Sequence, residues 1–289
     1  MISTTTKTII ESKLHLQIKE TNWIGGGSIN EARLLNTSKG KFFLKQNDSP
    51  IAHDLFRVEV EGLNILRKAN CLQIPKVILS EQAENTAFLV LEFIEEARPT
   101  PSFWENFGIS LANLHRHTKA QFGGIFDNYI GALPQYNPSF ERWTDFFIQA
   151  RLLPQMEMAK QLNRITSSDE KAFERLFLQL PNYFPKEPPA LTHGDLWSGN
   201  FLCNQKQNVV LIDPAVGYAH REMDIAMTYL FGGFSPIFYQ SYQAVFPLAP
   251  RFQERLELYQ LYYLLVHVTL FGGGYIQSVR NILKKFVGV

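Results

Sequence analysis

The apolar positions of this 289-residue chain change their rhythm about a third of the way along. Up to about residue 92 they come in short runs: β-like stretches on both sides of Gly25-Gly26-Gly27, the strand Lys41-Phe42-Phe43-Leu44-Lys45, and the run Ala87 to Ile94. Between them Leu55, Phe56, Val58, Leu63 and Leu66 recur at helical spacing. Beyond Glu95-Glu96-Ala97-Arg98-Pro99-Thr100-Pro101, a polar stretch with prolines, the period is helical. Helices are predicted over 103–117, 140–153, 170–180, 221–231, 238–246 and 254–270. Val209 to Ile212 is a short buried strand among them. The pattern predicts an α+β, bilobal molecule: a small β-rich N-lobe over 1–94 and a larger, mostly helical C-lobe over 95–289.

Chemistry concentrates in His193-Gly194-Asp195-Leu196-Trp197-Ser198-Gly199-Asn200 and in Leu211-Ile212-Asp213-Pro214. An Asp, an Asn five positions on and an Asp thirteen beyond it match the polar atoms of a phosphotransferase. Asp195 is placed to accept the proton of an attacking hydroxyl. Asn200 and Asp213 offer hard oxygens suited to Mg²⁺ on the phosphates of ATP. A kinase reading also requires a glycine-rich turn, supplied by Gly25, Gly26, Gly27 and Ser28, where bare backbone approaches phosphates. It requires a strand lysine, Lys45, and a helix glutamate to orient it, taken as Glu59 rather than Glu61. The main chain of Glu92, Phe93 and Ile94 is the candidate edge for adenine.

The chain resembles the fructosamine kinase (ketosamine-3-kinase) family of the protein-kinase-like superfamily, which also holds aminoglycoside and choline kinases. The resemblance rests on Phe56-Arg57-Val58-Glu59, Leu114-His115-Arg116, Pro134-Gln135-Tyr136-Asn137, Arg142-Trp143 and Asp195 to Asn200. Further support comes from Tyr218 to Met227, Phe231-Gly232-Gly233-Phe234 and Phe271-Gly272-Gly273-Gly274-Tyr275. It implies ATP-dependent phosphorylation of a ketosamine at its third sugar carbon, whose product falls away from the amine, so that the activity is deglycation. It also implies Asp195 as general base, Asn200 and Asp213 at the metal, and Lys45 with Glu59 at the phosphates. Trp197 either packs on the sugar or anchors the loop. His267 either fills the core or lines the sugar pocket. Arg221 and Asp224 are read as structural support, and His115, His117, His193 and His220 as satisfied structural histidines. The acceptor is a small ketosamine or a glycated protein side chain. An aminoglycoside- or choline-type kinase is the alternative, and a non-catalytic pseudokinase a further one.

A net charge of +1, from 28 basic and 27 acidic residues, gives no sign of a nucleic-acid or membrane surface. Cys71 and Cys203 suggest no disulfide framework, and no Cys stands in the glycine turn. The N-terminus lacks the apolar core of a signal peptide, so a cytoplasmic setting is expected; separately, the protein is expected to be a monomer.

Overall fold

The computed structural model describes residues 2–25 and 29–288. By proximity the chain forms two compact units: residues 1–103 with 199–214, and residues 104–198 with 215–289.

The first unit opens with α1 (Thr4–Leu14), capped by the Ser3 hydroxyl. Strands β1 (Ile18–Trp23), β2 (Glu31–Thr37) and β3 (Gly40–Asn47) follow, then α2 (Ala52–Ala69), β4 (Val77–Ala83) and β5 (Thr86–Glu92). The five strands form one antiparallel sheet in the order β1-β2-β3-β5-β4. Ile10 and Leu16 bury against Leu35, Leu44, Phe88 and Val90 on one face. Successive strand residues point to opposite faces, so Lys45, next to Leu44, falls on the other face, where α2 packs on β5.

The second unit is mostly helical. Most of α3 (Pro101–Leu114) lies in it, followed by the short hairpin β6 (Asn128–Ile130) and β7 (Leu133–Gln135) and by α4 (Trp143–Phe146), α5 (Leu153–Gln161) and α6 (Ser167–Tyr183). After β8 (Ala190–Thr192) the chain passes to the first unit for the hairpin of β9 (Phe201–Cys203) and β10 (Val209–Leu211). It returns with β11 (Gly217–Ala219), paired to β8, and ends in α7 (Glu222–Thr228), α8 (Pro236–Val245), α9 (Phe252–Phe271) and α10 (Tyr275–Val287).

The helix expected over 140–153 is interrupted: residues 147–152 form a π-helical stretch between α4 and α5. Pro154 has no N–H for the carbonyl of Ala150, and the buried Arg151 guanidinium donates to that oxygen instead, at 3.0 Å. The other expected helices are present with ends shifted by a few residues, and α10 adds one. The central stretch of α9 is apolar on nearly every side and is buried to match. No helix among the described residues is long and apolar enough to cross a membrane.

Candidate active site

In the first unit, pairing of β3 with β5 sets Lys45 opposite Leu89 with its side chain almost fully buried. Its Nζ donates to both oxygens of Glu59, at 2.9 and 2.8 Å, and to Oδ1 of Asp213 at 2.8 Å. Burial opposes the ammonium charge, but the Asp213 and Glu59 carboxylates outweigh it and hold the Lys45 pKa above the ordinary lysine value. The Glu59 carboxyl is pushed up by its own burial, with the Lys45 charge pulling the other way. Glu59 is therefore the residue that α2 brings to Lys45. Glu61, on another side of the helix, pairs with Arg57 at 2.7 Å.

The β9–β10 hairpin brings the two expected metal ligands together within this unit. Leu211 pairs with Phe201, and the Ile212 N–H donates to the Asn200 carbonyl at 3.1 Å, so Asn200 and Asp213 lie at the same end of the hairpin. Asp213 adopts a left-handed backbone (φ 53°), a conformation that Asp tolerates better than most residues. Its side chain is 45% exposed, with Oδ1 turned to Lys45. One amide oxygen and one carboxylate fit Mg²⁺, which binds through few protein oxygens and keeps its remaining positions for water and phosphate.

Of the glycine turn, Gly25 lies inside the described residues; Gly26, Gly27 and Ser28 lie outside them. The Ile24 N–H donates to the Ala32 carbonyl at 3.0 Å and joins the two flanking strands. Asn47 donates to Asn30 Oδ1 at 2.8 Å and to the Ile29 carbonyl at 3.2 Å, tying the far side of the turn to β3. A side chain at Gly25 would meet nothing within 4 Å among the described residues. At the end of β5 the Glu92 N–H is already used, donating to the Lys76 carbonyl at 2.9 Å. Phe93 and Ile94 follow it as the next main-chain candidates. Residues 95–101 are tied to β9 and the turn after it, through Ala97 N–H to the Cys203 carbonyl and Gln205 to the Glu96 carbonyl.

In the second unit, the loop that bears Asp195 is held from beneath. Fully buried Asp224 accepts the main-chain N–H of His193 at 2.7 Å and of Gly194 at 2.9 Å. Its other neighbour is His115 Nε2, at 3.2 Å, whose Nδ1 lies 2.8 Å from the Tyr242 hydroxyl. Burial opposes the Asp224 charge, yet these donors outweigh it and lower its pKa. Tyr263 donates to the Gly194 carbonyl at 3.1 Å. At Gly194 (φ +86°) an added Cβ would stand 1.9 Å from the Ala215 carbonyl oxygen, so only glycine lets the two segments lie this close. The Asp195 N–H donates to His193 Nδ1 at 3.3 Å, so this structural histidine braces the loop.

Trp197 is 38% exposed and meets Phe231 edge-on, with centroids 6.3 Å apart. Phe231 in turn contacts His267 at 4.8 Å, and His267 touches Tyr275 and Phe271 at 5.0 and 5.5 Å. His267 is half-buried, and its Nδ1–H donates to the Tyr263 carbonyl at 2.8 Å, which leaves Nε2 the accepting nitrogen of the neutral ring. Burial lowers its pKa and favours that neutral form. Trp197 and His267, read separately from the sequence, thus belong to one aromatic series running from the Asp195 loop to the end of α9. Arg221 is structural, paired with Glu187 at 2.7 Å beneath the Phe246 ring. Asp224 is more than structural padding, because it fixes the loop that carries Asp195.

The family model for fructosamine kinase matches residues 1–288. The probable ketoamine kinase of Enterococcus faecium is 38% identical over 263 residues, covering 90% of this chain and 93% of its own. The ketosamine-3-kinase of Mus musculus is 33% identical over 299 residues, covering 93% and 95%. The crystal structure of a candidate fructosamine-3-kinase from Thermobifida fusca superposes with a TM-score of 0.88 at 31% identity over the whole of both chains. The expected α+β architecture, with a sheet-bearing N-lobe and a helical C-lobe, is therefore found.

Proposed function

The chain belongs to the fructosamine kinase family, and from that premise we propose that it transfers the γ-phosphoryl group of ATP to the third-carbon hydroxyl of a ketosamine. The observation that carries this reading is Lys45 Nζ held at once by Glu59 and Asp213, with three contacts of 2.8 to 2.9 Å. A buried lysine with two carboxylates costs desolvation that folding alone would not favour, but it pre-positions a cation for phosphate oxygens.

In this reading Lys45 binds the phosphates, oriented by Glu59, and the turn of Gly25, Gly26, Gly27 and Ser28 is the candidate phosphate cradle. Phe93 and Ile94 offer main-chain groups to adenine. Asn200 and Asp213 would hold Mg²⁺, which when bound offsets the phosphate charge. Asp195 accepts the proton of the sugar hydroxyl as that oxygen attacks phosphorus, and Trp197 and His267 supply faces for the polyol. Phosphorylation next to the keto-amine carbon makes the product labile toward loss of the amine, so the outcome is deglycation. A cytoplasmic monomer is the setting we propose.

The test is ATP consumption by the purified protein with Mg²⁺, comparing ribulosyl- and fructosyl-lysine with choline and an aminoglycoside. Turnover on the ketosamines alone, with phosphate on the third carbon, supports the reading. Turnover on an amine lacking the keto sugar would move the acceptor to the aminoglycoside or choline type. Bound nucleotide with no turnover on any acceptor would overturn it.

A further inference from the structure

Arg164 stands just before the N-cap of α6, Thr166, and its side chain crosses to the far end of α9. Its Nη1 donates to the carbonyl of Val268, at 2.6 Å, and to that of Thr269, two of the last acceptors of that helix. These contacts use one nitrogen of three. The Nε and Nη2 edge, the side-on fork that matches a carboxylate in two parallel hydrogen bonds, has no partner among the described residues. Arg164 is half-buried and forms no ion pair there, although most guanidinium groups of this chain do.

The surroundings of that fork are open. The guanidinium lies over Gly272: a Cβ at that glycine would find Arg164 Cζ at 3.5 Å and Nε at 3.6 Å as its nearest neighbours. At Gly273 and Gly274 an added Cβ would meet nothing within 4 Å among the described residues. The first turn of α10, which follows, carries no acidic side chain to compete for the cation. Phe271, 52% exposed, immediately precedes Gly272, and His267 is the residue before Val268, so the anchored guanidinium sits within about one helical turn of the aromatic series. An unused cationic fork, bare glycine backbone and exposed aromatic faces occur together at one place in the second unit.

We infer that Arg164 is the specificity residue for a carboxylate on the acceptor, so that the preferred substrate is a free glycated amino acid. This rests on the ketosamine reading above and deepens it. The sugar occupies the Trp197 end of the aromatic series, and the amino-acid part extends along His267 and Phe271 to the fork. A glycated lysine inside a protein has an amide where the free amino acid has a carboxylate, so it leaves the fork unfilled. The competing reading makes Arg164 only a cap for the last carbonyls of α9, and that role uses Nη1 alone.

The experiment compares kcat/KM for Nε-fructosyl-lysine and for its α-carboxamide, in wild type and in Arg164→Gln and Arg164→Lys. A charge-assisted bidentate contact predicts that wild type favours the carboxylate by on the order of tenfold to a hundredfold. Both variants should bring that ratio close to one, while turnover of the carboxamide stays within a few-fold and melting shows a folded protein. A wild-type ratio of one overturns the inference while leaving the kinase reading intact. So does a variant that slows both compounds by the same factor, which is the behaviour of a helix cap. If wild type phosphorylates neither these compounds nor their ribulosyl counterparts, the ketosamine reading itself fails and the inference falls with it.

Discussion

The carboxylate of Asp224 receives the main-chain N–H of Gly194 at 2.9 Å across thirty residues of sequence. The same carboxylate takes the N–H of His193, so one buried side chain sets the path of the backbone leading into Asp195. Replacing Asp224 with Asn keeps the shape but turns an amide NH₂ toward groups that are themselves donors. We expect kcat to fall about a hundredfold, as a displacement near 1 Å does at a reacting centre. The protein should also lose about 3 kcal/mol of stability, because the polar groups around Asp224 are left buried and unpaired. Nucleotide affinity should hardly change, since Lys45, Glu59 and Asp213 belong to the other unit. Steady-state rates together with nucleotide titration check this, and a parallel loss of nucleotide binding would reject it.

Asp195 and Asp213 should separate in the opposite sense. Asp195→Asn removes the proposed proton acceptor and preserves the side-chain outline, so turnover should drop by roughly 10² to 10⁴ with ATP still bound. Asp213→Ala removes a proposed metal ligand and one of the two carboxylates on Lys45, so Mg·ATP binding itself should weaken. Calorimetric titration of both variants decides the matter. Unchanged turnover in the first, or unchanged nucleotide affinity in the second, removes that residue from its assigned role.

Local spacing made the pairing of Asn200 with Asp213 legible in the sequence, because the hairpin that joins them is short and closes on itself. Lys45 and Glu59 were legible too, since strand alternation and helix period each fix a side. What stayed hidden depends on long-range packing. No spacing announces that Asp224 reaches back to Gly194, or that Arg164 crosses to the end of α9. Nothing in the sequence singles out Tyr263, and only the fold assigns it to the Gly194 carbonyl. The π-helical stretch was equally out of reach, although Pro154 after Arg151 contained its cause.

Two glycines of the candidate site should respond differently to the same added methyl group. At Gly194 the Cβ of alanine would lie 1.9 Å from the Ala215 oxygen on a backbone with φ +86°, so Gly194→Ala should cost about 3 kcal/mol and abolish most activity. At Gly25 the methyl would meet none of the described residues within 4 Å, so Gly25→Ala should leave stability within about 0.5 kcal/mol. Its effect should appear instead as a higher KM for ATP, if bare backbone there lies against phosphate. Thermal melting and ATP titration separate the two, and an unaltered KM in Gly25→Ala would take that glycine out of the phosphate cradle.

Stability in acid should depend measurably on Asp169. Its carboxylate accepts Nε and Nη2 of Arg280, each at 2.9 Å, and closes a capping box with Thr166, tying the start of α6 to α10. The Arg280 hydrogen bonds, helped by those from Thr166, lower the Asp169 pKa to about 2 from the usual 3.8. The native state therefore holds this proton less tightly than the unfolded chain. Its contribution is complete above pH 3.8 and is lost as pH falls through about 2. Because Arg280 is 40% exposed, solvent screens the pair, and the contribution should be about 1–2 kcal/mol. Asp169→Asn should be less stable than wild type by that amount at pH 7, with the gap closing toward pH 2. A gap that stays constant with pH would mean that the Asp169 charge does not hold α6 to α10.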